Sequence, residues 1–260
     1  MGNEAVLWNV DSRGVATLTL NRPEVNNAYN EALIERLHDA MDALGAHAGV
    51  RALLVRGAGR HFQAGADLNW IAQVASQSTE ENERASRATA LAVHRLNTLP
   101  VATVALVQGG CFGGGTGIVA ACDIVIAAED AMFSIAETRW GLMAGIILPQ
   151  LADAIGARQV RRYALSGERF GAHEARRIGL VHEVVATAEL QSFGDKVIEQ
   201  LLQNAPEANA QTKAVALEFA WGAIDDALLE RLVVQHAAKR RSREAVEGLA
   251  SFREKRPARW

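Results

Sequence analysis

The chain has 260 residues, 49% apolar and 22% charged, with a formal net charge of −3. These totals exclude a disordered or collagen-like chain, and they give no global attraction to nucleic acid or to an anionic membrane. Two cysteines cannot build a disulfide framework, and no window reaches the roughly 18 apolar residues of a membrane span.

In chain order, no basic, apolar leader precedes the first strand, so the expectation is a cytoplasmic protein with no membrane partner. Leu7–Val10 and Val15–Leu20 alternate as two strands, with Asp11-Ser12-Arg13-Gly14 turning between them. Asn21-Arg22-Pro23 breaks the pattern. Leu33, Ile34, Leu37, Met41 and Leu44 fall at helical spacing, which predicts a helix from about Asn30 to Ala46. Ala52–Val55 reads as a short buried strand before the loop Gly57-Ala58-Gly59. Asp67 is placed to cap a short helix carrying Leu68, Trp70 and Ile71. A long polar-faced helix follows from about Thr79 to Thr98, ended by Pro100.

Val101–Val107 and Ile124–Ala127 are continuous apolar runs, as expected of strands covered on both faces, with a helix near Ile118–Ala121 between them. After Pro149 helical periodicity dominates, apart from a strand at Leu180–Val185, and Pro206 breaks the last helical third. Strand, loop, helix and strand in this order give an α/β fold with crossover connections. The expected division is a sheet-rich core over 1–190 and a helical region over 191–260.

Three segments carry chemistry: His61 to Leu68, Gly109 to Gly117, and Phe133 to Glu137. The glycine run is not a P-loop, because no Lys-Ser/Thr pair follows its last glycine, and it lacks the spacing of a dinucleotide fingerprint. Its bland reading is tight strand–helix packing. Its functional reading is a bare N–H at Gly114, backed by a helix, with a second donor from Ala64-Gly65-Ala66-Asp67. Two such donors make an oxyanion hole. Glu137 is a lone carboxylate in apolar surroundings, suited to moving a proton, though an ion-paired surface role is its bland alternative.

Asp67 reads more simply as a helix cap, Trp70 and Trp140 as core fillers that could line a pocket, and Cys111 and Cys122 as buried packing thiols. Ser134 lacks a nucleophile-elbow pattern. The seven histidines form no close ligand pair, so no metal is expected. Lys239-Arg240-Arg241 with Arg243 reads as a solvated face or subunit contact rather than an RNA site.

The ordered segments Asn21-Arg22-Pro23, Asn26-Asn27-Ala28, Ala64–Leu68, Gly109–Ile124, Phe133–Glu137, Arg177–Val181 and Gly248–Arg256 resemble the enoyl-CoA hydratase/isomerase (crotonase) superfamily over essentially the whole chain. The resemblance implies a crotonase-type spiral of ββα units with a helical C-terminal oligomerisation region, assembled as a homotrimer or hexamer. It implies an acyl-CoA thioester as substrate, with coenzyme A part of that substrate and no separate cofactor. The thioester carbonyl would be held by the N–H groups of Ala66 and Gly114, with Glu137 as the general acid/base. Ala64, Ala66 and Leu68 would lie along the adenine and pantetheine, Val25 near the adenine, and Asp67 and Trp140 in the same substrate-binding set. Phe252 and Lys255 would approach the nucleotide end from a neighbouring subunit.

The departure is at Gly117, where typical hydratases carry the first of two catalytic glutamates. One carboxylate still serves two reactions: hydration, with a proton taken from water at C3 and delivered to C2, or isomerisation, with a proton moved from C2 to C4. Phe133–Leu142, Ala154-Ile155-Gly156 and Arg161–Leu165 resemble bacterial methylglutaconyl-CoA and isohexenylglutaconyl-CoA hydratases, which favours hydration. A feruloyl-CoA-type hydratase-lyase ranks third, since it needs a phenol anchor and neither Tyr29 nor Tyr163 sits obviously in the acyl pocket. A non-catalytic acyl-CoA-binding protein is the rival from another class.

Overall fold

The structure, a computed structural model, describes residues 4–47, 49–220, 243–256 and 258–259. In chain order its elements begin with β1 (Val6–Val10), β2 (Val15–Leu20), α1 (Glu31–Ala46), β3 (Ala52–Gly57), α2 (Leu68–Ala75) and α3 (Thr79–Thr98). β4 (Ala102–Val107), β5 (Gly110–Phe112), α4 (Gly114–Ala120), β6 (Ile124–Ala128), β7 (Met132–Ser134) and α5 (Leu148–Ser166) follow. Then come β8 (Phe170–Gly171), α6 (Ala172–Ile178), β9 (Glu183–Val185), α7 (Leu190–Leu202), α8 (Pro206–Phe219) and α9 (Arg243–Glu254).

The larger sheet has six strands in the order β1-β2-β3-β4-β6-β9, parallel except for the β1–β2 hairpin. Alternate residues of its central strands enter different cores, as the period-2 pleat requires. Leu18, Leu53, Val55, Ala105, Val107 and Val125 face α1, α3 and the middle of the chain. Ala52, Leu54, Val104, Leu106 and Ile126 face the other way, onto Leu190 and Ile198 of α7. Both faces are covered, which is why these strands read as unbroken apolar runs.

Local signals account for the long helices. The Asn30 side chain accepts from Leu33 N at 3.1 Å and opens α1. Ser78 and Glu81 form a reciprocal capping box at the start of α3. Three expected boundaries are corrected. The helix after the glycine run begins at Gly114 rather than near Ile118, so the glycines are inside it. The strand expected from Leu180 begins only at Glu183, because Leu180 and Val181 both donate to Ala175 O (2.9 and 3.2 Å) and close α6 after Gly179. Pro206 opens a helix instead of breaking one, as its missing N–H allows at a first turn. The small sheet β5-β7-β8 has strands of two or three residues, too short for periodicity to reveal.

From Leu190 onward the described residues are helical or irregular. Among the described residues no helix is long and apolar enough to cross a membrane. Cys111 and Cys122 are buried and free, and burial raises both thiol pKa values, that of Cys122 to about 12. A partly buried ion pair helps clasp the helical region to the sheet: Lys213 Nζ lies 2.8 Å from Asp123 Oδ2 and 3.1 Å from Val101 O. The same carboxylate oxygen accepts from Thr103 N at 2.7 Å and Thr103 Oγ1 at 2.9 Å. Asp123→Ala leaves the Lys213 ammonium, whose side chain is only 10% exposed, without its counter-charge. The expected loss is about 2–3 kcal/mol of unfolding free energy by urea titration; an unchanged midpoint would refute the clasp.

Candidate active site

The site is assembled from loops that buried amides hold together. Asn27, fully buried and with φ of 58°, points Nδ2 at the carbonyls of Ala58 (2.9 Å), His61 (2.8 Å) and Phe62 (3.1 Å). Its Oδ1 accepts from Arg22 N at 2.8 Å. Gln63, also fully buried, accepts from Gly65 N at 2.8 Å and donates to Gly65 O at 3.1 Å, so one side chain closes the loop that carries Ala66. The glycine run is tied to its neighbours by Gly110 N donating to His61 Nδ1 (2.7 Å) and Gly113 N donating to Ser134 O (2.8 Å).

Among the described residues, the N–H groups of Ala66 and Gly114 are left without a backbone acceptor. Tyr29 bridges the Ala66 segment in parallel fashion: Tyr29 N donates to Gly65 O and Asp67 N donates to Tyr29 O, both at 2.9 Å. The N–H of Ala66 therefore faces the opposite side. Gly114 supplies the first N–H of α4, which has no helical acceptor by construction. No backbone carbonyl among the described residues accepts from either. The two loops touch: a Cβ on Gly113 would lie 3.7 Å from Gly65 Cα. Gly113 has φ of 50° and ψ of −123°, a turn that aims α4 at the cavity and that side-chain-bearing residues rarely adopt.

Both donors line one cavity of about 860 Å³, shared with Glu137. Glu137 starts a short 3-10 turn, Glu137–Trp140. Its Oε1 is 3.1 Å from where a Gly113 Cβ would stand, and its Oε2 is buried without a hydrogen-bond partner among the described residues. Burial raises the Glu137 pKa, and its own peptide N–H offsets only part of that rise. Tyr29 lines the same cavity, edge-on to Trp70 with ring centroids 5.7 Å apart. Its phenol is pushed up to about 12, first by burial and then by the negative charge of Glu137. At neutral pH Tyr29 therefore keeps its proton.

Of the expected site residues, Ala64, Ala66, Leu68, Gly114, Glu137 and Trp140 all line the cavity. Trp140 is 63% exposed and is no core filler, while Trp70 forms part of the wall. Asp67 is outside the lining; it caps α2 through Asn69 N at 3.1 Å and pairs with Arg22 at 3.6 Å. Val25, on the single turn Pro23–Val25, and Lys255 are exposed and also outside it. Arg243 is exposed at the start of α9. The side chain of Phe252 and residues 239–241 lie outside the described residues.

One expectation is corrected by position. Tyr29 does line the cavity, because its backbone is bridged to Ala66 and its ring is pressed on Gly114, where a Cβ would fall 2.5 Å from Tyr29 Cε1. Tyr163 is buried elsewhere, its hydroxyl bonded to Glu174. The place of the missing glutamate is filled: a Cβ on Gly117 would lie 2.3 Å from Ile147 Cγ2. Sequence reasoning missed Gln63 and Ile147, and gave Asn27 no role beyond its motif. A polar residue enclosed by Phe62 and Gly65 was the one available signal for Gln63.

The profile of a family described as "Enoyl-CoA hydratase/isomerase" matches residues 11–260. The chain is 34% identical over 254 residues to mevalonyl-coenzyme A hydratase sidH of Aspergillus fumigatus, across 95% of this chain and 91% of that one. It is 30% identical over 256 residues to the mitochondrial Delta(3,5)-Delta(2,4)-dienoyl-CoA isomerase of Dictyostelium discoideum, across 95% and 87% of the two chains. The crystal structure of an enoyl-CoA hydratase from Shewanella pealeana superposes with a TM-score of 0.94 at 32% identity, covering 99% of this chain and 96% of that one.

The raised pKa of Glu137 carries a stability signature. The folded state holds this proton more tightly than the unfolded state does, so ionised Glu137 opposes folding once pH exceeds the ordinary glutamate range. Glu137→Gln is expected to raise the urea midpoint at about pH 8. The gain should shrink as pH falls through the raised folded pKa and be absent below the ordinary range. A lower midpoint for the variant at the higher pH would contradict this account of the carboxylate.

Proposed function

The chain belongs to the enoyl-CoA hydratase/isomerase family, and on that premise we propose that it adds water across the 2,3 double bond of an enoyl-CoA thioester. One observation carries the reading: a carboxylate oxygen with no partner among the described residues, enclosed with two unclaimed peptide N–H groups in one mostly apolar cavity. The N–H groups of Ala66 and Gly114 receive the thioester oxygen. As charge moves onto that oxygen they stabilise the enolate, each donor contributing about 3 kcal/mol.

Glu137 takes a proton from water while the water oxygen bonds to C3. The electron pair of the double bond passes toward C2 and the thioester oxygen. Glu137 then returns the proton to C2, so one carboxylate is base and acid in turn. The Tyr29 hydroxyl, within electrostatic reach of Glu137, offers the water a second polar partner in a cavity otherwise mostly apolar. An isomerase base needs no such niche, which favours hydration. The isomerase alternative draws its support from the filled space at Gly117, since proton transfer from C2 to C4 needs one base only.

Tyr29 lends no support to a hydratase-lyase. It presses on Gly114, at the thioester end, whereas a phenol anchor belongs at the far end of the acyl group. A pure binding protein would gain nothing from a buried, unpartnered carboxylate. The assembly that accompanies this reading is a cytoplasmic homotrimer or hexamer. In it Val25, with Lys255 of a neighbouring copy, would lie near the nucleotide half of coenzyme A, which is part of the substrate.

The test is incubation with crotonyl-, methylglutaconyl- and 3-enoyl-CoA in H₂¹⁸O, followed by mass spectrometry. Hydration predicts gain of one solvent-derived water, and Glu137→Gln should lower kcat at least about 100-fold. A shifted double bond at constant mass would make the enzyme an isomerase. Full hydratase activity in the Gln variant would remove Glu137 from the mechanism.

A further inference from the structure

We infer that His61 is a positioning residue for the oxyanion hole: its imidazole ring, working as a hydrogen-bond acceptor, holds the two donor loops at their spacing. The inference rests on the acyl-CoA reading above. It adds a residue outside the cavity lining, which acts through Gly110 rather than on the substrate.

Residues 61–63 and 108–112 run beside each other as a short parallel ladder. Gln63 and Cys111 are its bridged pair: Gln63 N donates to Gly110 O at 3.1 Å, and Phe112 N donates to Gln63 O at 2.9 Å. Each segment leads directly into a donor. Ala66 lies three residues beyond Gln63, and Gly114 lies two beyond Phe112. The register of the ladder therefore sets the distance between the two N–H groups.

Continued back by two residues, the parallel pattern would send Gly110 N to His61 O. That bond is not made. His61 O accepts from Asn27 Nδ2 at 2.8 Å, and Gly109 has φ of 56°, which turns the chain out of strand geometry. Gly110 N donates to His61 Nδ1 instead, at 2.7 Å. A side chain thus completes a ladder that the backbone leaves open. Because a peptide N–H only donates, Nδ1 presents a lone pair there and the ring proton is on Nε2.

The imidazole is packed against both glycines. A Cβ on Gly109 would fall 2.7 Å from Nδ1, and one on Gly110 3.2 Å from it. Gly110 is buried, so its N–H, deprived of the ring nitrogen, would have to shift to find another partner. A shift there is passed along the chain to Gly114, and oxyanion-hole donors lose their effect when displaced. A bond that only fastened the fold would act on stability; one that sets donor spacing acts on turnover.

The experiment compares the intact native protein with His61→Asn and His61→Leu. The two new side chains branch alike at Cγ, but only Asn carries an acceptor, Oδ1, where Nδ1 stands. With crotonyl-CoA the Leu variant is expected to lose at least about 30-fold in kcat with KM changed less than about threefold, while Asn stays within about fivefold of the native kcat. Equal kcat in the two variants, or a loss carried by KM, overturns the inference. If the Leu variant does not fold, His61→Phe, a ring without an acceptor, takes its place. Failure of both to fold makes His61 a folding determinant and overturns the inference as well.

Butanoyl-CoA labelled with ¹³C at the thioester carbonyl supplies a readout that needs no turnover, and it decides the matter if crotonyl-CoA is not a substrate. Infrared difference spectra are expected to show the bound carbonyl stretch lowered by the native protein and by the Asn variant, and much less by Leu. A native shift that Leu retains in full overturns the inference alone. Absence of any shift in the native protein sinks the oxyanion-hole reading itself, and the inference with it.

Discussion

A peptide N–H withheld from every backbone carbonyl forfeits a hydrogen bond, and a fold tolerates that only where the surroundings enforce it. Two such groups, on Ala66 and Gly114, organise this molecule. Gln63 and Asn27 are buried amides spent on holding the adjacent loops, and the glycines from Gly109 onward let those loops meet at van der Waals distance. The small sheet β5-β7-β8 serves the same end. It carries Gly110–Phe112 and Met132–Ser134 side by side, so that the donor loop and the segment leading to Glu137 have a fixed spacing.

Electrostatics follow from that enclosure. The wall that keeps water from the donors also strips solvent from Glu137, raising its pKa and leaving one oxygen bare. The charge so confined acts on Tyr29, whose phenol stays protonated. A group held in this way is poorly placed for stability and well placed for proton transfer, the usual opposition between an active site and a quiet core.

Much of the frame was legible from residues alone. The stripe Leu33, Ile34, Leu37, Met41, Leu44 and the start at Asn30 gave α1, while unbroken apolar runs gave β4 and β6. Misplaced boundaries had a shared cause. Gly114 to Gly117 are poor helix formers, and only contacts with Tyr29, Gln63 and Ile147 make a helix of them. The site divided in the same way. Ala66, Gly114 and Glu137 were visible as ordered motifs, but Tyr29 reaches the cavity through a backbone bridge to a residue 37 positions later. No local pattern records such a pairing.

The close approach of Ile147 to Gly117 couples these two positions. A carboxylate introduced at position 117 would arrive where Ile147 Cγ2 already stands, 2.3 Å from the new Cβ. Ile147 is itself only 2% exposed, so shrinking it first would leave a void in its place. Either single step is disfavoured and only the pair is tolerable, which is sign epistasis written in van der Waals radii.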